Sequence, residues 1–305
     1  MRVVVAGGTG FIGAALCRHL VQDGHDVVVL SRISPQTSFH PKLTYCSWQT
    51  AAWRQLFAHG SAVINLAGAS VAGQRWSASR KHVLRASRIQ TTRTLVEAIA
   101  AAPSKPAVLI NASAIGYYGP RGDEQLDETA ARGDGFLAQL CQEWEHEAQR
   151  AELLGVRVVR LRIGLVLGPR GGALAAMVPP FRFLLGGPLG SGKQWLSWIH
   201  RDDVIGLIAW ALTHSHVSGA LNATTPTPVT MREFCRTLGG VMHRPSWAPV
   251  PSMVLRTLLG EMADMLLTGQ RAAPAAALRQ GYTFRFPELS AALDHCLRSW
   301  NPTSV

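Results

Sequence analysis

The chain has 305 residues, enough for one large or two modest domains and for a core that needs no disulfide or metal staple. Hydrophobic residues at 47% and charged residues at 16% exclude a disordered tail, a coiled coil and a collagen-like fibre. The net charge is +11, but no run of five basic residues occurs, so the surplus suits a phosphorylated small molecule rather than nucleic acid.

Residues 2–6 (RVVVA) read as a short strand, too brief for a secretory apolar segment. Gly7, Gly8, Gly10 and Gly13 follow at once. Ala14, Leu16, Cys17, Leu20 and Val21 then repeat at helical spacing, and residues 26–30 (DVVVL) read as a buried strand. Together they make one right-handed βαβ unit. Residues 62–66 and 107–112 are further buried-strand runs, separated by a helical stretch over 77–102. Residues 136–150 place Phe136, Leu137, Leu140, Cys141, Trp144 and Ala148 on one helical face, with Asp134 as the expected N-cap. Residues 156–161 are another strand. Apolar strands alternating with helices imply a parallel sheet covered on both faces, an α/β Rossmann-like doubly wound architecture.

Between residues 168 and 192 Gly and Pro become dense, and Pro179, Pro180 and Arg182 break an apolar stretch that would otherwise approach a membrane span. A helix over 204–212, a short strand over 221–223 and a helical tail around 245–280 complete the chain. The expected division is a Rossmann domain of residues 1–168, joined by about 196–224. A smaller, mainly helical substrate lobe takes 169–195 and 225–305. Five widely spaced cysteines with no CxxC pair point to the reducing cytoplasm and to no structural zinc.

Gly7, Gly10 and Gly13 lie between a strand and a helix, the context that gives this spacing its meaning. Such a loop, Thr9, Phe11 and Ile12 included, lets a dinucleotide diphosphate lie against backbone N–H groups at a helix N-terminus. An acidic residue ending the second strand would hold a ribose 2′-hydroxyl. Here Ser31 and Arg32 stand instead, a hydroxyl and a guanidinium suited to a 2′-phosphate, so NADP(H) is the expected cofactor.

The segments 7–13 (GGTGFIG), 65–68 (NLAG), 113–119 (SAIGYYG), 161–169 (LRIGLVLGP) and 198–204 (WIHRDDV) occur in the order of the extended short-chain dehydrogenases, the nucleotide-sugar epimerase and dehydratase group. More narrowly, GYYG, PPFRFLLGGPLGSGKQ and WIHRDD resemble the YfcH-type epimerase family proteins, which carry a C-terminal domain of unknown function. The resemblance spans essentially the whole chain. It implies that Leu66, Ala67 and Gly68 approach the cofactor, that Ser113 sits beside the nicotinamide, and that Arg88 and Arg162 are cofactor contacts.

The pattern departs from this family at one point. Active members carry Tyr-x-x-x-Lys on the helix after the serine, and the stretch FLAQLC (136–141) has neither residue. Tyr117 or Tyr118 is the candidate proton donor in its place; the alternative is that one packs in the core while the other lines the pocket. His200, Asp202 and Asp203 suggest a metal only superficially, and an Asp capping the following helix is the preferred reading. Lys193 after Gly190 and Gly192 lacks phosphate-loop spacing and is a candidate pocket lip. Glu143, Glu145 and Glu147 read as solvated helix charges, with Glu145 able to face the site, and Trp76 as a pocket aromatic or a packing anchor.

The expected function is an NADP(H)-dependent oxidoreductase or epimerase-like enzyme acting on a small polar substrate, for which the family resemblance implies a nucleotide sugar. No nucleic-acid or membrane partner and no metal are expected. The alternative is a catalytically silent NADP(H) sensor.

Overall fold

The computed structural model describes residues 1–32, 38–57, 60–298 and 300. Seven strands form one sheet: β1 (Arg2–Ala6), β2 (Asp26–Ser31), β3 (Leu43–Ser47), β4 (Ala62–Asn65), β5 (Val108–Ala114), β6 (Arg157–Ile163) and β7 (Gly219–Ala223). All pairings are parallel, in the order β7-β6-β5-β4-β1-β2-β3. The doubly wound sheet expected from the alternating runs is therefore present. Strand β3 has no counterpart among the expected elements. Its LTYCS run lies at a sheet edge and is mostly half-buried, so it lacks a continuous apolar signal.

The described helices include α1 (Gly13–Gln22), α2 (Ala78–Ala101), α3 (Phe136–Gln149), α4 (Gly172–Arg182), α5 (Arg201–Thr213), α6 (Met231–Met242) and α7 (Ser252–Leu259). The pleat of β1 sends alternate side chains to opposite cores. Val3 and Val5 pack with Leu16 and Leu20 of α1 and Leu207 and Ile208 of α5. Val4 and Ala6 pack with Leu95 and Ile99 of α2 and Ala148 of α3. Burying each larger side chain contributes about 1.5–3 kcal/mol. A separate core joins Leu174 and Phe181 of α4, Trp198, Phe234 and Leu238 of α6, and Leu293 of the helix Leu289–Arg298. No helix among the described residues is long and apolar enough to cross a membrane.

Two expected caps are corrected. Gly135, at φ 96°, occupies the N-cap of α3, and no side chain caps that helix. The reason lies upstream, where the Gly133 N–H donates to the Tyr117 carbonyl at 3.0 Å and fixes the path of residues 133–135. At α5 the cap is His200, whose ring accepts the Asp202 N–H. Asp203 instead accepts the N–H groups of Arg285 and Phe286, at 2.7 and 2.9 Å, and so ties the tail to the sheet domain.

The chain leaves β1 towards β2 on one side and returns through β4 on the other. That reversal opens a crevice at the carboxyl ends of β1 and β4, where open α/β sheets bind ligands. It sets residues 7–13 beside residues 66–68.

Candidate functional site

The glycine loop is shaped by backbone contact. Gly7 has φ +80°, and a Cβ there would stand 2.6 Å from the Leu66 carbonyl carbon. A Cβ on Gly13 would stand 2.2 Å from the Gly7 oxygen. Gly10 differs: it is exposed, and its Cβ would meet only the Gly7 oxygen, at 3.3 Å. The protein interior therefore explains Gly7 and Gly13 but not Gly10, whose surface is bare. Thr9 is exposed, and Phe11 and Ile12 are half-buried at the start of α1. Among the described residues, none accepts a hydrogen bond from the Phe11 or Ile12 N–H. Free donors at a helix N-terminus favour an anion.

Ser31 is buried at the end of β2 and Arg32 beside it is exposed. The Trp48 N–H donates to the Ser31 carbonyl at 3.2 Å. Trp48 also lines a mainly apolar cavity of about 360 Å³ with His82, Val83, Ala86, Ser87 and Gln90. The Ser87 hydroxyl accepts the Ala69 N–H, so the cavity adjoins the loop that follows β4. In that loop the Leu66 N–H donates to the Ala6 carbonyl, and a Cβ on Gly68 would touch the Arg88 guanidinium at 3.1 Å. Arg88 is buried, donates to the Leu84 and Ala69 carbonyls, and lies 5.2 Å from the Trp144 ring. Its bonds shape the loop from below.

At the end of β5, Ser113 donates to Glu145 Oε1 at 2.7 Å. Arg162 grips the same carboxylate with both Nε and Nη2, at 2.8 and 2.9 Å, and Arg160 approaches it at 3.4 Å. Arg162 Nη1 also donates to the Tyr118 hydroxyl at 3.0 Å, and that hydroxyl donates to Asn222 Oδ1 at 2.7 Å. Burial opposes the Arg162 charge, but hydrogen bonding and attraction from Glu145 outweigh it and hold its pKa above the ordinary value. Tyr118 is fully buried, and burial pushes its pKa up to about 12. Both features make it a structural phenol. Tyr117 is half-buried, with the Arg162 guanidinium 3.6 Å from its ring centre.

The reading of the three glutamates as solvated is corrected for Glu145 and Glu147, both buried. Glu145 follows Cys141 by four residues and precedes Ala148 by three, so it stands on the apolar stripe of α3. A carboxylate at that spacing was the available signal. Asn65, Thr92 and Asn111 were also missed: Asn65 donates to Thr92 at 2.9 Å and to Asn111 at 2.7 Å, beneath the crevice. Glu128 was another, accepting the N–H groups of Asn222 and Ala276. Trp76 is a packing anchor, its indole N–H on the Val71 carbonyl and its ring against Phe136. Lys193 is exposed.

Ligand atoms of His200, Asp202 and His295 lie within 4.8 Å of one another. Protein contacts account for this cluster. His200 Nδ1 accepts the Asp202 N–H at 3.1 Å, so its proton sits on Nε2, which faces His295 Nδ1 at 3.1 Å. Burial pushes the His200 pKa down to about 4, against the pull of Asp202 and with help from His295. The folded pKa is below the free value near 6.5, so the unfolded chain binds the extra proton between those limits. Stability is expected to be full above pH 6.5 and to fall towards pH 4, by up to about 3 kcal/mol. Urea titrations across this range should show the slope flattened in His200→Phe; an equal slope in both proteins assigns it elsewhere.

A sequence model of the NAD dependent epimerase/dehydratase family matches residues 3–223, and one of a domain of unknown function (DUF1731) matches residues 250–296. The chain is 42% identical over 302 residues to the chloroplastic homolog of epimerase family protein SDR39U1 from Arabidopsis thaliana, covering 96% of this chain and 86% of that one. It is 40% identical over 300 residues to epimerase family protein YfhF of Bacillus subtilis (strain 168), covering 97% and 98%. The crystal structure of human epimerase family protein SDR39U1 (isoform 2) with NADPH superposes with a TM-score of 0.88 at 38% identity, over 99% of this chain and all of that one. UDP-glucuronic acid 4-epimerase from Bacillus cereus, in complex with UDP-glucuronic acid and NAD, shares the fold with a TM-score of 0.79 at 18% identity, over 98% of each chain.

Proposed function

The chain belongs to the NAD dependent epimerase/dehydratase family, and from that premise we propose that it binds NADP(H) and acts as an oxidoreductase or epimerase-like enzyme on a small polar substrate. The observation that carries the cofactor is the bare, exposed Gly10 beside the free N–H groups of Phe11 and Ile12. Gly7, Thr9 and Gly13 complete the cradle, Leu66, Ala67 and Gly68 form its opposite wall, and Ser31 and Arg32 receive the 2′-phosphate. The NADPH in the human relative's structure supports this choice. Calorimetric titration with NADPH tests it, and a flat titration rejects it.

Arg32→Glu is expected to weaken NADPH binding tenfold or more, the scale of one lost charge-assisted contact, and to leave NADH binding unchanged or improved. Paired titrations with the two nucleotides check this. Equal NADPH affinity in the variant places the 2′-phosphate on another cation.

When bound, the nicotinamide supplies hydride transfer. The residues around it fix what the substrate must offer. Glu145 accepts from Arg162 through both carboxylate oxygens and from the Ser113 hydroxyl, so the Ser113 proton is committed to it. Ser113 therefore presents lone pairs and orients a hydroxyl or N–H of the ligand. Tyr117 is the phenol left to exchange a proton, with Arg162 stacked on it. The locked Ser113 and Tyr118 hydroxyls favour a second reading, a silent NADP(H) sensor. A panel of carbonyl compounds and nucleotide sugars with NADPH separates the two: turnover that Tyr117→Phe abolishes supports the enzyme, and no turnover supports the sensor.

A further inference from the structure

At the far end of α4 three consecutive apolar side chains stand in solvent: Phe183 at 75%, Leu184 at 49% and Leu185 at 58% exposure. Trp247, 66% exposed, lies beside them and donates its indole N–H to the Leu184 carbonyl at 2.9 Å. The backbone holds this tip rigidly. Leu184 has φ +63°, a left-handed conformation unusual for leucine. The N–H groups of Leu184 and Leu185 donate to the Phe181 and Pro180 carbonyls, and those of Trp247 and Ala248 both donate to Gly186. The Phe181 ring fills the space under Gly186. Gly171 and Gly172, at the start of α4, lie against the Phe11 ring of the glycine loop, and the helix carries the tip roughly 16 Å from there, away from the cofactor crevice.

Charge identifies the occupant. No acidic residue occurs between Arg170 and Arg201 or between Glu233 and Glu261, while Arg182, His243 and Arg244 flank the tip and are exposed. A second copy would set these cations against their own images. A protruding aliphatic and aromatic tip above arginines matches a surface that is apolar beneath an anionic layer.

We propose that this tip docks the protein on anionic phospholipid membranes, with Phe183, Leu185 and Trp247 entering the headgroup boundary and Arg182 and Arg244 contacting lipid phosphates. This is peripheral attachment. The sequence-based expectation of no membrane partner considered only spanning segments.

Vesicle flotation with the full chain tests the proposal, using phosphatidylcholine vesicles with and without phosphatidylglycerol at low salt. The protein is expected to float with the phosphatidylglycerol vesicles and to remain behind with phosphatidylcholine alone. Phe183→Ser with Leu185→Ser should abolish flotation. Arg182→Ala with Arg244→Ala should weaken it roughly tenfold or more. Thermal unfolding should be unchanged in both, because the replaced side chains are exposed. Failure of the wild type to float, equal binding to neutral vesicles, or retained binding in the Phe183/Leu185 variant overturns the proposal. So does a dimer of the wild type that the same variant dissociates, which assigns the tip to a second copy.

Discussion

Gly10→Leu is expected to weaken NADPH binding more than about a hundredfold, a loss of roughly 2.7 kcal/mol, with little change in the thermal unfolding midpoint. The two effects separate because of where the new side chain would stand. A Cβ at Gly10 meets one protein atom at an awkward but tolerable 3.3 Å, and the rest of the side chain would extend into the exposed space above the loop. The chain loses nothing there except access to its own N–H groups. Gly13→Ala makes the contrast: its Cβ would sit 2.2 Å from the Gly7 oxygen and 2.8 Å from the Gly8 Cα, so the helix and loop must part. That overpacking should cost about 3 kcal/mol or more of stability along with the cofactor. Calorimetry with NADPH and thermal melts on both variants check the pair. Unchanged affinity in Gly10→Leu would mean that no diphosphate rests on the loop.

The parts of this site that could be read from the sequence are those built by the backbone. Residues 7–13 must turn sharply and approach another strand, and only glycine allows both, so spacing alone locates the crevice. Strands β1, β2, β4 and β5 are covered on both faces and announce themselves as unbroken apolar runs. The polar heart of the site has no such rule. Ser113, Glu145, Arg162 and Asn222 come from three strands and a helix, and they meet only because β5, β6 and β7 are adjacent with α3 lying over them. Glu145 gave one local hint, a charge on an apolar stripe, and that hint carries meaning only once Arg162 is known to face it. The cap of α3 failed for a related reason. Asp134 has the right chemistry, but the hydrogen bond from Gly133 to the Tyr117 carbonyl, far earlier in the chain, decides where the helix begins.

Glu145→Ala is expected to destabilise the fold by about 3–5 kcal/mol, because it strands the buried guanidinium of Arg162 without its counter-charge. Arg160 loses its carboxylate contact in the same step. For a chain of this size that is a fall in unfolding midpoint of roughly 10 °C. Arg162→Met should be comparably damaging, since it leaves the carboxylate buried against Ser113 and a 3.4 Å arginine contact alone. Glu145→Leu combined with Arg162→Met removes both charges, and its stability should recover most of the loss; measured against the single variants Glu145→Leu and Arg162→Met, the non-additivity is the coupling energy of the pair. The cycle also reaches function. Without Glu145 the Ser113 proton is free, so Ser113 can donate to a carbonyl oxygen rather than only accept from a hydroxyl or N–H. NADPH affinity, set at the glycine loop, should stay within about threefold of wild type in every variant that folds. A Glu145→Ala protein that melts with the wild type would show that this carboxylate holds neither arginine, and the assignment of Ser113 as an acceptor would fall with it.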